Sequence, residues 1–356
     1  MKRPHAEAIF AVKPTVARPP IDIHFETIRI FLSKLYDRRK LRVLKSTAEA
    51  GRYSMTKAGV VQQPTHNQVT EKIWLDLTQA ELDDAYDQAK YAPNMQRVLA
   101  RFESNSEAVR SRLGLPKRFN YGPTEVEKFD LYRCDTPNAP VLIYVHGGAW
   151  RFGMAKNHAY GAELFVQAGC HFAVLDFINV IDAGGDLTNM SDQVRGALAW
   201  IYANAAALQV DRRRIYLCGH SSGAHLSGVL LTTDLTQYDM PRDAIKGALL
   251  TSGIYDLKAP RKSARNAYVN FTDAIEQALS PQRHLTHLNC PITLAYGSLE
   301  SPEFQRQSRD FAAAIKEQGK PVRLLRADGY NHFEIAETLA SPQGVLGRAM
   351  LEILGS

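Results

Sequence analysis

Short apolar runs recur through the second part of the chain at Val141–Val145, Phe172–Phe177, Ile215–Cys218, Gly247–Thr251, Ile292–Tyr296 and Val322–Leu325. Helical patterns separate or follow them at Met190–Ala206, Ser222–Thr233, Pro302–Gln318 and Val345–Leu354. Continuous rather than alternating apolar runs mark strands buried on both faces. Their alternation with helices predicts an α/β fold, a mostly parallel central sheet with helices on both faces. Lys128–Tyr132, which precedes these runs, is expected to form an antiparallel edge strand. Further upstream, Thr78-Gln-Ala-Glu81 has the form of a capping box and should open a helix. Leu82, Tyr86, Met95, Val98, Leu99 and Phe102 then recur mostly at spacings of three and four, which predicts one or two helices over 78–113 with a break at Pro93. Residues 1–72 read as irregular apart from a basic helix around Glu26–Val43. No linker interrupts 120–356. The expected organisation is an arm, 1–72, followed by one α/β domain, 73–356.

Charge sharpens the boundary of that arm. The chain carries a net charge of +6, yet residues 1–60 alone hold 13 Lys and Arg against 5 Asp and Glu. The rest is slightly acidic, which argues against a nucleic-acid partner. The arm also has Phe25, Ile28, Phe31, Leu32, Leu35 and Tyr36, enough apolar surface to need covering. It is expected to dock on its own core as a cap, or on a second copy as a homodimer contact. No run reaches the roughly 18 apolar residues of a membrane span. No signal-peptide core follows Met1-Lys2-Arg3, so the expected compartment is the cytoplasm unless a leader preceded this numbering. The four cysteines are scattered without metal-ligand spacing, and most sit in apolar runs, so they read as buried thiols. Neither metal nor cofactor is expected.

The chemistry concentrates in three loops. Ile215-Tyr-Leu-Cys-Gly-His-Ser-Ser-Gly-Ala-His225 runs from an apolar strand through Gly219-x-Ser221-x-Gly223 into a helix. This is the strand–turn–helix setting of a nucleophile elbow, as in the α/β-hydrolase fold. A sharp turn must lift the Ser221 Oγ off the sheet, and the two glycines remove side chains that would collide there. Val145-His146-Gly147-Gly148-Ala149-Trp150 follows another strand. Gly147 and Gly148 are expected to donate N–H groups to a developing alkoxide, with Ser222 donating from the opposite side. After the last core strand comes Tyr330-Asn-His332-Phe, and the order nucleophile, acid, base makes His332 the candidate base. Glu300 is the leading candidate for the orienting acid, because it follows the strand Ile292–Tyr296 and precedes a helix that Pro302 can open. Glu303 and Asp256 remain alternatives. His220 and His225 are expected to pack around the elbow rather than to bind metal.

The runs His146-Gly-Gly-Ala-Trp150, Gly219-His-Ser-Ser-Gly-Ala-His-Leu226, Ser252-Gly-Ile-Tyr-Asp-Leu257, Ser301-Pro-Glu-Phe-Gln-Arg-Gln-Ser308 and Asn331-His-Phe-Glu334 together resemble the arylformamidase (kynurenine formamidase-like) branch of the α/β-hydrolases, close to the hormone-sensitive-lipase-like esterases. The resemblance spans roughly 77–354. It implies a serine hydrolase of small aryl esters, formamides or acyl amides, with Ser221, Glu300 and His332 as the triad. The alternatives are a carboxylesterase or carbamate hydrolase acting on a xenobiotic ester, or a non-catalytic binding protein on the same fold. This chain departs from the family pattern in three ways: Glu300 stands where Asp is usual, Ala149 where Tyr is common, and the arm has no counterpart. His146, Trp150, Tyr255, Phe304 and Phe333 adjoin these motifs and are expected to contact substrate.

Overall fold

The computed structural model describes residues 71–355. The basic helix, and the cap or homodimer role expected of the arm, fall outside the described residues.

Eight strands form one sheet: β1 Lys117–Asn120, β2 Lys128–Tyr132, β3 Ala139–Val145, β4 His171–Leu175, β5 Val210–His220, β6 Ile245–Thr251, β7 Ile292–Gly297 and β8 Val322–Ala327. Their spatial order is β1-β2-β4-β3-β5-β6-β7-β8. β1 and β2 are antiparallel to their neighbours, and β4 through β8 run parallel. The predicted antiparallel strand Lys128–Tyr132 is therefore present but lies second from the edge. β1 covers it, a strand whose sequence Lys-Arg-Phe-Asn has neither an apolar run nor alternation, and which is mostly exposed.

The main helices are α1 Gln79–Ala85, α2 Met95–Leu113, α3 Ala162–Gln167, α4 Leu187–Ala203, α5 Ser222–Leu231, α6 Pro302–Glu317 and α7 Val345–Leu354. The capping box opens α1: Thr78 Oγ1 accepts from the Glu81 N–H, and the Glu81 carboxylate accepts from the Thr78 N–H at 2.7 Å. Successive strand residues point to opposite faces, and the core divides accordingly. Val141, Ile143 and Val145 of β3 join a cluster with α4, α5 and α6 through Met190, Leu226 and Phe311. Leu142 and Tyr144 join a second cluster with α2, α3 and α7 through Phe102, Phe165 and Met350. Both faces of the sheet are thus buried, which is why its strands read as unbroken apolar runs.

One consequence of this order governs everything below. β3, β5, β6, β7 and β8 are consecutive neighbours, so the loops leaving their carboxyl ends meet along one edge. Ligands of open α/β sheets bind at that edge.

Candidate active site

β5 ends at His220, and the chain turns at Ser221 with φ 57° and ψ −124° before entering α5. A non-glycine residue in this region costs about 1–3 kcal/mol and persists only where its surroundings enforce it. Here the Ser221 N–H donates to the Thr251 carbonyl at 2.8 Å, which continues the β5–β6 ladder through the turn. On the other side α5 presses against β3. A Cβ at Gly223 would lie 2.0 Å from the Val145 carbonyl oxygen, so only glycine allows the approach.

Three side chains from three loops then form a line. The Ser221 hydroxyl meets His332 Nε2 at 2.8 Å. His332 Nδ1–H donates to Glu300 Oε2 at 2.8 Å. Glu300 Oε1 accepts from the Gly297 N–H and from the Ser252 hydroxyl, each at 2.6 Å. Both carboxylate oxygens are therefore occupied, and the carboxylate is held beside the imidazole. All three members are buried, Ser221 the least so at 6% exposed. The two alternative acids are engaged elsewhere. Glu303 holds Arg306 at 2.7 and 2.8 Å and accepts from the Tyr86 hydroxyl. Asp256 pairs with Arg283 at 3.0 Å.

The loop after β3 carries the candidate donors. The ladder between β3 and β5 ends at Val145 opposite Gly219, so the N–H groups of Gly147 and Gly148 lie beyond it. Ser222 is the first residue of α5, whose leading N–H groups have no partner within the helix. A Cβ on Gly147 would sit 3.0 Å from the Ser221 Cβ, which places this glycine against the nucleophile. Gly148, Ala149 and Trp150 are consecutive residues with positive φ, at 131°, 54° and 63°. The loop is tied down by Trp150, whose indole N–H donates to His225 Nδ1 at 3.1 Å, while His225 Nε2–H donates to the Leu279 carbonyl at 2.8 Å.

The histidines flanking the nucleophile thus have defined places. His220 Nε2–H donates to the backbone carbonyl of His332 at 2.8 Å and so pins the loop that carries the candidate base. Burial pushes the His220 imidazole down to about 3, helped by the neighbouring His332. Burial likewise pushes His225 down to about 4. Both are neutral donors at neutral pH. No cluster of three metal-ligating side chains occurs among the described residues.

The residues expected to contact substrate differ in exposure. Trp150, Tyr255 and Phe304 are 0–1% exposed, and His146 is 2% exposed. His146 stacks on Phe177 at 4.6 Å and donates from Nδ1 to the Gly147 carbonyl. Tyr255 stacks on Phe311 of α6 at 4.2 Å. Phe304 packs edge-on against His332 at 4.9 Å. These four residues are packed into the interior around the site. Phe333 keeps a partly open face beside His332. Phe152, 57% exposed just beyond the donor loop, is the more accessible aromatic. Ser252 opens one of the runs that carry the family resemblance, but the sequence reading gives it no role; its φ of 55° and its bond to Glu300 make it part of the site.

Comparison with known proteins gives the chain a family and a fold. The BD-FAE family model matches residues 129–314. The chain is 32% identical over 295 residues to a kynurenine formamidase of Danio rerio, across 79% of this chain and 98% of that one. Among solved structures it resembles a putative thioesterase from Silicibacter sp. TM1040, with a TM-score of 0.66, 22% identity and coverage of 78% and 99%. It also resembles the esterase LipW from Mycobacterium marinum, with a TM-score of 0.60, 17% identity and coverage of 75% and 88%. At those identities the two structures speak to the fold alone.

Proposed function

We infer from one premise, that the chain belongs to the kynurenine formamidase family of the α/β-hydrolases, how this hydrolase performs its reaction and on what. The enzyme cleaves carboxylic ester or amide bonds. The proposed nucleophile is Ser221, the base His332 and the orienting acid Glu300. The observation that carries this reading is the unbroken line from Ser221 Oγ to His332 to Glu300, with both links at 2.8 Å.

The chemistry follows from that line. Ser221 Oγ attacks the substrate carbonyl carbon while its proton passes to His332 Nε2. The oxyanion is held by the N–H groups of Gly147, Gly148 and Ser222, each such donor contributing about 2.7–4 kcal/mol to the transition state. Glu300 keeps the Nδ1–H tautomer and stabilises the imidazolium. His332 then returns the proton to the leaving amine or alkoxide, and the acyl group remains on Ser221. Water, deprotonated by His332, attacks the acyl-enzyme and frees Ser221. Every step uses side chains and backbone amides of this chain.

Small aryl esters, formamides and acyl amides are the proposed substrates, supported by the formamidase relatives and by the aromatic faces of Phe152 and Phe333 near the site. A turnover panel of aryl formamides, short acyl esters, aryl esters and carbamates tests this. Aryl formamides or short aryl esters should give the highest kcat/KM, and preference for long-chain acyl esters would contradict it.

A further inference from the structure

We propose that His225 and Trp150 are positioning residues for the oxyanion donors: their side chains tie the loop that carries Gly147 and Gly148 to the helix that carries Ser222. The proposal rests on the hydrolase reading above and deepens it.

The donor loop departs from ordinary backbone. Gly148, Ala149 and Trp150 all have positive φ, a region that the side chains of Ala149 and Trp150 disfavour. Such a stretch persists only where its surroundings enforce it. Part of the enforcement is local. The Gly148 carbonyl accepts from the Arg151 and Phe152 N–H groups, each at 2.9 Å. The Trp150 carbonyl accepts from the Val180 N–H at 2.8 Å, which fixes the loop to the segment after β4. None of these bonds reaches α5. Among the described residues, the bond from the Trp150 indole N–H to His225 Nδ1 at 3.1 Å is the one hydrogen bond between this loop and α5.

His225 suits that place. It lies one turn after Ser221, and its own N–H donates to the Ser221 carbonyl at 3.1 Å. Its Nε2–H donates to the Leu279 carbonyl at 2.8 Å. A carbonyl only accepts and an indole N–H only donates, so one neutral tautomer, with its lone pair on Nδ1, satisfies both ends. The indole meets the imidazole edge-on, with ring centres 5.2 Å apart and planes at 85°. Both side chains are at most 1% exposed, so the bond is shielded from water. A single imidazole thus joins the two halves of the oxyanion site. Donors act on the transition state only when they stand about 2.7–3.1 Å from the oxyanion. A loop released from α5 loses that spacing although no group that touches substrate has been removed.

The test uses the full chain, with 4-nitrophenyl acetate as substrate and 2,2,2-trifluoroacetophenone as oxyanion probe. Ser221 Oγ adds to the carbonyl carbon of the ketone, its proton passes to His332, and the ketone oxygen becomes an oxyanion in the hole. Trp150→3-benzothienylalanine keeps the shape of the indole and replaces only its N–H, by sulfur. H225L removes the acceptor. In each variant kcat and kcat/KM should fall together by roughly 10- to 100-fold, less than the ~10²–10³-fold loss in kcat on deleting a donor outright. Affinity for the ketone should fall by the same factor, while the apparent pKa of the base in the pH profile stays in place. H225N, whose Oδ1 can accept from the indole, should recover part of both losses. The double variant should be no worse than either single one, since both remove the same bond. If H225L does not fold, the Trp150 variant decides. Parental turnover and ketone affinity in that variant overturn the tether, and so does a loss of turnover without a loss of ketone affinity. A parent chain that neither cleaves the ester nor binds the ketone overturns the hydrolase reading, and the tether falls with it.

Discussion

Replacing Ser221 by Ala should leave the fold intact and abolish covalent labelling by a fluorophosphonate, because the turn that presents its Oγ is held by the backbone bond to Thr251 rather than by the hydroxyl. Retained labelling at another serine would contradict the assignment. Glu300→Gln keeps the shape of the acid but removes the charge facing His332 Nδ1. Its kcat should fall by about 10⁴, the loss seen when a triad aspartate of a serine protease becomes asparagine. Glu303→Gln should do the reverse. It disturbs a buried cluster with Arg306 and Tyr86, so it should cost on the order of 1–3 kcal/mol of stability, with a much smaller loss of kcat. Steady-state kinetics and urea denaturation on both variants separate the two roles, and a larger kinetic loss for Glu303→Gln would reverse the assignment. The sequence favoured Glu300 for a physical reason: it occupies the loop after β7, one strand away from the loop of His332. It could not exclude Glu303, because three residues of chain do not reveal which carboxylate turns toward a histidine. Nor did it reveal Ser252, which reaches Glu300 across the sheet, 48 positions away.

At the level of elements, the close approach of α5 to β3 is the contact beside the proposed nucleophile. Gly223→Ala would drive a methyl group into the Val145 and His146 carbonyls, at 2.0 and 2.3 Å. The helix must then move outward. We expect a stability loss of about 1–3 kcal/mol, the usual range for overpacking, together with loss of esterase activity, since Ser222 and its N–H move with the helix. Thermal melting with activity on a short aryl ester checks this, and a fully active Gly223→Ala protein would show that α5 has room to spare. The parallel strands were legible because burial on both faces leaves them almost purely apolar. β1 was not, because an edge strand needs only backbone partners on one side and can be written Lys-Arg-Phe-Asn. The early start of β5 at Val210 was hidden in the same way: Asp211-Arg-Arg-Arg214 carries no apolar signal, although it belongs to the strand. Trp150, Tyr255 and Phe304, expected beside the motifs as substrate contacts, are buried, whereas Phe333 keeps a partly open face. Sequence adjacency to a catalytic loop places a ring near the site but does not say which side of the sheet edge it fills.

Across the whole molecule, five buried imidazoles among the described residues make the fold sensitive to acid. Burial lowers the proton affinity of His146, His158 and His171, and pushes His220 to about 3 and His225 to about 4. The unfolded chain takes up protons on these groups near pH 6.5, whereas the folded chain resists them. Their contribution to stability is therefore complete above about pH 6.5 and is lost as pH falls toward 4, each group adding up to about 1.4 kcal/mol per pH unit to the slope. Urea midpoints should drop between pH 7 and pH 5, and His225→Gln should flatten the fall. A midpoint equal at both pH values would contradict this. The same edge of the sheet bears another imprint. Ala149, Trp150, Ser221 and Ser252 all hold left-handed φ values, and they follow three adjacent strands, β3, β5 and β6. Four of the eight non-glycine residues with positive φ among the described residues thus gather at the edge that carries the proposed nucleophile. Ser221→Gly should accordingly yield an inert protein that melts higher than its parent, by about 2–4 °C for each kcal/mol of relieved strain. Catalysis and heat resistance compete at that single position, and a laboratory selection for thermostability alone would be drawn toward disarming the enzyme.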